Sequence, residues 1–321
     1  MREAASTGDE TTLTVVIPVF NEEDCLPALL QRVLAIQSRM PNCRLELLFV
    51  NDGSVDRTGV LLEEAAAAHC HVKVVQFSRN FGHQAAVTAG IDHADGDFVC
   101  IIDADLQDPP EVIPDMLALA LEGHDLVYGK RRSRSGETLF KKATAAIFYR
   151  MLRRICRVDI PADAGDFRLM SRSVVLAVRQ MRETHRFIRG MVAWVGFKSA
   201  PYVYDRQERH AGTTKYPLFK MVRFATDAIL SFSNLPLRIS TYLGLGMTTL
   251  TLFGMVLVAC LRLFTPWTVP GISAVLFVVL LIGGVQFLIL GIMGEYISRI
   301  FEQDKDRPLY LIATTSNLKS R

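Results

Sequence analysis

The sequence lacks the residue patterns that define several common enzyme classes. Its six cysteines form no CxxC pair and its seven histidines form no HxxxH or HExxH pattern, so no such spacing predicts a zinc site. No GxGxxG follows the first apolar run, and neither GxxxxGKS nor GxxxxGKT occurs, so the phosphate loops of dinucleotide-binding and P-loop proteins are missing. A net charge of +3 and only two tryptophans argue against nucleic-acid binding through a basic or base-stacking surface.

Charged residues are also scarce. They make up 21% of the chain, below the value of about 25% for an average soluble domain, while 50% of the residues are hydrophobic. Two stretches, 239–261 and 272–294, contain no charged residue, and each is long enough to cross a bilayer as a helix of about 20 residues. With their connection they predict a transmembrane hairpin over 236–298. A buried helix pair in a soluble protein is the alternative, and two long uncharged runs in succession argue against it.

Basic residues flank both ends of the predicted hairpin, whereas the connection TPWTVPG has no charge. These residues are Arg223, Arg238, Arg299, Lys305 and Arg307. By the positive-inside rule, both ends of the hairpin face the cytoplasm. The predicted location of the hairpin is the inner (plasma) membrane. The sequence therefore predicts a polar N-terminal tail (1–12) without the apolar core of a signal peptide, a cytoplasmic domain (13–235) and a cytoplasmic C-terminal tail (299–321).

Five short runs of β-branched and aromatic residues alternate with helix-like segments in the predicted cytoplasmic domain. The runs lie at 13–20, 45–50, 72–77, 98–103 and 125–129. This alternation predicts an α/β fold with a largely parallel sheet. In such sheets ligands bind beyond the carboxyl ends of the strands, so the residues that follow each run are the candidates for a functional site.

Acidic residues follow the first two runs. Glu22 comes just after the first run and Asp52 after the second, and either could accept hydrogen bonds from a nucleotide base or ribose. The same residue types are common in turns and helix caps. The spacing alone leaves both interpretations open.

The sharpest signal follows the fourth run, in the sequence IIDADLQDPP (101–110). If the strand continues, Asp103 and Asp105 face one side, because alternate residues of a strand share a face. Neighbouring carboxylates repel each other unless a cation or a donor lies between them. Hard oxygen ligands suit Mg²⁺ or Mn²⁺, and Gln107 adds an oxygen on the same side. An acidic turn before a helix is the alternative interpretation.

Basic residues form the next group of candidates. Arg131 follows the fifth run, and RHAGTTKY contains Arg209 and Lys215 around a flexible centre. Both side-chain types suit phosphates, although a solvated basic loop has the same spacing. Two further segments, 141–157 and 215–237, have the pattern of amphipathic helices at a membrane surface.

Two acidic residues lie between these basic segments. In DAGDFRLM (163–170), Asp163 or Asp166 could face a reacting centre. A turn with a structural Asp–Arg pair is the alternative, and spacing does not decide between the two.

In combination, these segments resemble the family-2 glycosyltransferases, and within them the polyprenyl-phosphate branch that includes dolichyl-phosphate mannose synthase and the bacterial bactoprenol glucosyltransferases. The resemblance covers about residues 13–310 and rests on VIPVFNEE, VNDGSVDRT, SRNFGHQAAVTAGIDHADGDFV, DADLQDPPE, AGDFRLMSR, RFIRG, RHAGTTKY and GEYISRIF. It implies a GT-A fold and an inverting transfer. The QxxRW motif of the processive members is absent, which favours transfer of a single sugar.

The resemblance also implies roles for individual residues. It implies nucleotide contacts at Pro18, Phe20, Glu22, Val50 and Asp52. It implies a diphosphate site at Asp103, Ala104, Asp105 and Gln107, in which Mg²⁺ or Mn²⁺ is bound by Asp105 and Gln107. Phosphate contacts are implied at Arg131, Arg209 and Lys215, and catalytic roles at Asp105 and Asp166. Tyrosine is frequent at the position of Phe20, so a hydroxyl contact is lost there.

The implied substrates are a nucleotide-sugar, UDP-glucose, and a polyprenyl phosphate, undecaprenyl phosphate, in the bilayer. The product is a lipid-linked sugar for cell-surface glycan modification. GDP-mannose or a UDP-amino sugar stays open as the donor, and a homo-oligomer stays open as the assembly. A membrane-anchored nucleotide-sugar binder without catalysis and a transport subunit are the alternatives. The intact Asp103, Asp105 and Gln107 argue against the first, and uncharged spans make a poor pathway for the second.

Overall fold

The structure is a computed structural model, and it describes residues 11–132, 164–205, 235–264 and 272–318. The chain divides into two compact units. One comprises Met1–Val222 and Pro308–Arg321, and the other Arg223–Arg307. The predicted amphipathic segments 141–157 and most of 215–237 lie outside the described residues.

The first unit is built on an eight-stranded sheet. Its strands are β1 (Thr11–Val19), β2 (Cys43–Asn51), β3 (Val72–Phe77), β4 (Phe98–Ile101), β5 (Leu126–Arg131), β6 (Ala164–Ser171), β7 (Ser199–Tyr204) and β8 (Ile312–Ser316). Their order across the sheet is β7-β5-β6-β4-β1-β2-β3-β8. The four strands β4-β1-β2-β3 are parallel, as are β5 and β7, whereas β6 and β8 run antiparallel to their neighbours. The predicted α/β fold with a largely parallel sheet is confirmed.

Apolar side chains explain why the central strands form where they do. β1, β2 and β4 are buried along most of their length, as expected for parallel strands covered on both faces. Pro18 is tolerated inside β1 because of its position. Val16 is the last β1 residue in register with β4, and its carbonyl accepts from Ile102 on that side. Two residues further on, the missing N–H of Pro18 falls where pairing with β4 has ended.

Helices connect the strands of this unit. They are α1 (Leu26–Ala35), α2 (Thr58–Ala68), α3 (His83–His93), α4 (Ile113–Leu121), α5 (Arg172–Gln180) and α6 (Ile188–Trp194), with short 3₁₀ helices at Ile36–Arg39 and Pro110–Val112. α3 packs directly on β1, where a Cβ at Gly90 would overlap the Val16 side chain. Glycine at position 90 therefore allows the close helix–strand contact that fixes α3 above the sheet.

Two strands lie where the sequence predicted other structure. The segment AGDFRLM, interpreted as a possible turn, belongs to β6 in the middle of the sheet. The predicted tail 299–321 includes β8, which pairs with the edge strand β3, and the predicted N-terminal tail 1–12 overlaps β1 by two residues. The sheet thus extends beyond the predicted limits 13–235, because residues from the end of the chain cover its exposed edge.

The second unit contains two long helices that contact each other, α7 (Leu235–Phe264) and α8 (Ile272–Asp304). They include the predicted spans 239–261 and 272–294. Of the residues that the structure describes, one segment, Leu281–Asp304, is long and apolar enough to cross a membrane, and none of its apolar window is buried. A hairpin with two membrane spans stays a prediction.

Candidate active site

The carboxyl edge of the sheet gathers the predicted site residues. β4 and β2 flank β1 on opposite sides, so the edge beyond β1 is the switch point of a doubly wound sheet, where ligands bind in such folds. Because β6 runs antiparallel to β4, its first residues lie at the same edge as the last residues of β4. This arrangement brings Asp166, at the start of β6, towards Asp103.

Asp103 lies just beyond β4, which ends at Ile101, and Asp105 lies in the turn that follows. The prediction that Asp103 and Asp105 share one face of an extended strand is therefore wrong. Leu106, just beyond them, has a φ of 59°, which belongs to the left-handed region and reverses the chain. The two carboxylates still influence each other, since Asp105 contributes to raising the pKa of Asp103.

Asp103 has a buried oxygen without a hydrogen-bond partner. Its Oδ1 atom is buried and accepts no hydrogen bond from the described residues, and His83 Nε2 at 3.8 Å is too far away to donate one. Burial raises the pKa of Asp103 to about 6; His83 opposes this rise, and the carboxylates of Asp166, Asp108 and Asp105 add to it. A carboxylate in this environment needs a positive partner.

The residues predicted to bind a divalent cation fit that role by their chemistry. Asp105 Oδ1 accepts the backbone N–H of Gln107 at 3.1 Å, which ties the two residues together. Ala104, between the two aspartates, is buried. Among residues 11–132, 164–205, 235–264 and 272–318, no group of three or more His, Cys, Asp or Glu side chains is arranged to hold a metal ion. A site of one or two carboxylates completed by substrate phosphates is the usual mode for Mg²⁺, and Asp103, Asp105 and Gln107 suit it.

Asp166 is held by a bidentate ion pair with Arg189. Arg189 Nε donates to Oδ1 at 2.8 Å and Nη2 to Oδ2 at 2.9 Å. Burial acts to raise the pKa of Asp166, but the hydrogen bonds of His83 and Arg189 and the charges of Arg189 and Arg168 outweigh it, so the pKa lies well below its ordinary value. Asp166 is therefore ionised throughout the neutral pH range.

The segment GDFR contains the structural Asp–Arg pair that the sequence left as an alternative. Arg168 Nη2 lies 3.6 Å from Asp166 Oδ1. The hydrogen bonds of Arg168 go instead to the backbone carbonyls of Gly165 at 2.9 Å and Asp166 at 3.2 Å. These bonds satisfy an arginine that is 4% exposed inside a central strand, and burial lowers its pKa to about 10. Arg168 therefore braces the start of β6.

His83 lies between Asp166 and Asp103. Its Nε2 atom is 3.5 Å from Asp166 Oδ2 and 3.8 Å from Asp103 Oδ1, and 43% of the side chain is exposed. Burial acts to lower the pKa of His83, but the hydrogen bond to Asp166 and the charges of Asp103 and Asp166 outweigh it, so the pKa is raised. His83 is the first residue of α3 and follows Gly82, whose φ of 100° favours glycine.

Sequence reasoning assigned no role to His83 or Arg189. Both lie in segments quoted for the family resemblance, FGHQ and RFIRG, but at great distance along the chain from Asp166. The signal for His83 was available, because it lies in the segment that follows β3 at the carboxyl edge. Nothing in the spacing could have paired Arg189 with Asp166.

The predicted nucleotide contacts lie around the ends of β1 and β2. Pro18 and Val50 are cross-strand partners in the register of β1 and β2, and both are buried. Phe20 is 44% exposed, and the Glu22 backbone N–H donates to Thr58 Oγ1 at 2.9 Å. Phe20 is thus an accessible apolar side chain at the end of β1. The nucleotide contacts themselves stay a prediction.

Asp52 has a structural task in this region. It is 3% exposed and accepts the backbone N–H groups of Phe81, at 2.7 Å, and Gly82, at 2.9 Å. Burial raises its pKa more than these hydrogen bonds lower it. Asp52 therefore fixes the loop that leads into α3 and His83.

Of the three predicted phosphate contacts, the structure describes only Arg131. Its Nη2 atom lies 3.8 Å from Asp108 Oδ1, its Nε faces the hydroxyl of Tyr204 at 3.5 Å, and that hydroxyl donates to Asp108. Arg131 is thus part of a buried network at the end of β5. Arg209 and Lys215 lie outside the described residues.

Comparisons with known proteins identify the family. Residues 14–178, about half of the chain, match the family described as Glycosyl transferase family 2. The chain is 46% identical to the uncharacterized glycosyltransferase YkcC of Bacillus subtilis (strain 168) over 96% of this chain and 95% of that protein. It is 40% identical to the bactoprenol glucosyl transferase of Shigella phage SfV, over 94% and 97% respectively. Among solved structures, the fold is similar to a crystal structure of mannosyl-3-phosphoglycerate synthase from Rubrobacter xylanophilus, with a TM-score of 0.48. The two sequences are 20% identical, and the match covers 68% of this chain and 72% of that one.

The α/β sheet with its ligand edge and the two aspartates beyond β4 define a glycosyltransferase with a GT-A-like fold. The chain belongs to glycosyl transferase family 2.

Proposed function

We propose that this protein transfers one glucose from UDP-glucose to the phosphate of a polyprenyl carrier, undecaprenyl phosphate. The observation that carries the proposal is the 40% identity to a bactoprenol glucosyl transferase over nearly the full length of both chains. An alignment of this length includes the acidic edge of the sheet and both long helices. These are the parts of the protein that would contact the sugar donor and the lipid. The product is a lipid-linked sugar for modification of cell-surface glycans.

The donor diphosphate is proposed to lie at the turn beyond β4. There Asp105 and Gln107, with Asp103 beside them, would hold Mg²⁺ or Mn²⁺. When bound, the cation supplies positive charge that stabilises the departing diphosphate. The unpartnered Oδ1 of Asp103 supports this placement. Phe20, exposed at the end of β1, is proposed to contact the nucleotide, and Arg209 and Lys215 the phosphates.

Little base catalysis is needed for this reaction. A phosphate monoester has a second pKa of about 6, so the acceptor is already ionised near neutral pH. Asp166 is paired with Arg189, and its lowered pKa makes it a weak base. We therefore assign Asp166 an orienting role, in which it aligns groups for a single displacement that inverts the anomeric centre.

The two long helices are proposed to anchor the protein as a transmembrane hairpin. Apolar side chains on both are exposed, such as Phe253 at 66% on α7 and Phe287 at 77% on α8. An exposed apolar surface of this length favours a lipid environment over water. A reporter fused after Arg321 should be cytoplasmic, and a tag at 265–271 should be reachable only from the opposite side. An external C-terminus would contradict this orientation.

The decisive experiment is a panel of radiolabelled nucleotide-sugars, tested with undecaprenyl phosphate and the membrane-embedded protein. UDP-glucose should give a lipid-linked product, and NMR of its anomeric proton should show a β-linkage from the α-linked donor. Product from GDP-mannose or a UDP-amino sugar alone would reassign the donor. Nucleotide-sugar binding without any product would indicate a non-catalytic binder, and an α-linked product would rule out the single displacement.

A further inference from the structure

We propose that Arg189 is a positioning residue of this active site. Through the start of α6 it fixes the Asp166 carboxylate in the orientation that the transfer requires. The proposal rests on the proposed transferase function and adds a residue to it. Four observations support it.

The first observation is a division of tasks between two arginines. Arg189 Nε and Nη2 donate to the two oxygens of the Asp166 carboxylate, at 2.8 Å and 2.9 Å. Arg168 directs its hydrogen bonds to backbone carbonyls of β6. Since a bidentate pair fixes the plane as well as the position of a carboxylate, Arg189 sets the orientation of the side chain while Arg168 holds the strand.

The second observation is that α6 is itself tied to α3. The backbone N–H of Ile188, the first residue of α6, donates to the Gln84 side chain at 3.0 Å. The first N–H groups of a helix have no partner within the helix, so Gln84 satisfies one of them. Gln84 follows His83, whose Nε2 atom lies 3.5 Å from Asp166 Oδ2. The starts of α3 and α6 are thus linked twice, once through Gln84 and once through Asp166.

The third observation concerns the loop before α3. Asp52 accepts the N–H groups of Phe81 and Gly82 and so fixes the backbone that leads into His83 and Gln84. A continuous set of hydrogen bonds therefore runs from the end of β2, through α3 and α6, to Asp166. Active sites depend on such supporting contacts, because a misplacement of about 1 Å can cost about 100-fold in rate.

The fourth observation is that the Asp166–Arg189 pair is accessible to solvent. Arg189 is 28% exposed, Asp166 11% and His83 43%. A pair with only a structural purpose gains little from a position in the ligand edge of the sheet. In this position, the lone pairs of Asp166 that Arg189 leaves unused can accept a hydrogen bond from a substrate hydroxyl.

The chain contains a matched control pair away from the cluster. Arg32 on α1 makes the same bidentate contact with Glu111, with both bonds at 2.7 Å, and its side chain is 27% exposed. Arg189→Gln and Arg32→Gln therefore remove the same bidentate contact from arginines of similar exposure, although Glu111 is 45% exposed and Asp166 11%. Arg189→Gln should lower kcat by no more than Asp166→Asn does, which is less than about 100-fold, while the KM for the nucleotide-sugar stays near the wild-type value. Arg32→Gln should lower thermal stability with little change in kcat.

Two further variants separate positioning from folding. Arg189→Lys keeps the charge but lacks the planar fork, so it should recover only part of the lost kcat. The double variant Asp166→Asn with Arg189→Gln should lose no more than Asp166→Asn alone, because both changes remove one unit. Equal effects of Arg189→Gln and Arg32→Gln on kcat, or additive losses in the double variant, would overturn the proposal.

A crystal structure of full-length Arg189→Gln provides a measurement that is independent of turnover. Asp166 should adopt another side-chain orientation while the backbone of β6 stays in place. An unmoved Asp166 would overturn the positioning role even if the enzyme were inactive. Absence of transfer by the wild-type protein with every donor would instead overturn the proposed function, so the two failures are distinguishable.

Discussion

Replacement of Asp166 by asparagine distinguishes an orienting carboxylate from a general base. A required base typically contributes about 10²–10⁴-fold and gives a rate that depends on its ionisation. Burial acts to raise the pKa of Asp166, but the hydrogen bonds of His83 and Arg189 and the charges of Arg189 and Arg168 keep it well below the ordinary range. We therefore expect Asp166→Asn to lower kcat by less than about 100-fold, without the tenfold change per pH unit between about pH 5.5 and 8.5 that the loss of a general base would give.

The same substitution has a stability effect whose size follows from the structure. Breaking a buried ion pair costs about 3–5 kcal/mol, but Arg189 is 28% exposed and keeps one amide oxygen as a partner, so about 1–3 kcal/mol is a better estimate. At about 2–4 °C per kcal/mol, the melting temperature should fall by several degrees. Because folding lowers the pKa of Asp166, this contribution is present above the unfolded value of about 4 and is lost as the pH falls through the folded value.

The assays are transfer of radiolabelled glucose to undecaprenyl phosphate at a series of pH values and thermal unfolding of the purified protein. The difference in melting temperature between wild type and Asp166→Asn should be largest near pH 7 and should shrink below about pH 4. A loss greater than about 10³-fold that changes tenfold per pH unit near neutrality would refute the orienting role. It would identify Asp166 as a base despite its ion pair.

Further substitutions test separate parts of the site and fold. Asp105→Asn should abolish transfer, as should excess EDTA with the wild type, whereas Asp115→Asn on α4 should leave transfer intact; full activity in EDTA would exclude the metal. Arg209→Ala or Lys215→Ala should strongly reduce transfer in a folded, membrane-bound protein, and normal turnover in both would show that they form only a solvated loop. Asn317 donates to the carbonyls of Ala66 at 2.7 Å and Val72 at 2.9 Å, so Asn317→Gly should cost about 1–3 kcal/mol by thermal unfolding. Glycine tolerates the φ of 58° at this position, so an unchanged melting temperature would mean that these hydrogen bonds contribute nothing.

The sequence predicted the strands whose apolar composition follows from their burial. β1, β2 and β4 are runs of mostly apolar residues because strands inside the sheet are covered on both faces, and the predicted limits of β1 to β5 agree with the structure to within two residues. β6 escaped prediction because Arg168 and Asp166 interrupt its apolar pattern. Both are tolerated there because arginine side chains satisfy the polar groups locally, which no periodicity reveals.

β8 was missed for a different reason. The segment IATTS is short and mostly exposed, and it follows two long helices, so neither composition nor position along the chain suggested a strand of the first sheet. Its place is set by partners that are remote in sequence. Tyr310 stacks on Phe77 with ring centroids 5.0 Å apart, and its hydroxyl contacts Asp92 at 3.0 Å. Contacts over such separations determine the strand order but leave no local signal.

The candidate site shows the same limit. Reading the residues beyond each strand located the acidic edge, because the carboxyl ends of parallel strands meet in one place. It did not give the geometry of Asp103 and Asp105, which depends on β4 ending at Ile101 and on the left-handed backbone of Leu106. The sequence also did not predict that Arg189 is the partner of Asp166, because only the packing of α6 brings the two residues together.

The pKa values of Asp103 and Asp166 are shifted in opposite directions, although both residues lie at the same edge of the sheet. Both interact with His83, yet the pKa of Asp103 is raised to about 6 and that of Asp166 lies well below the ordinary value. The difference is positive charge: Asp166 has Arg189 and Arg168 beside it, whereas a buried oxygen of Asp103 accepts no hydrogen bond from the described residues. Opposed shifts of this kind mark different roles for neighbouring carboxylates. Asp103 has less positive charge beside it, which suits a cation that accompanies a diphosphate. Asp166 is already neutralised by its two arginines, which suits a fixed acceptor of neutral hydrogen-bond donors.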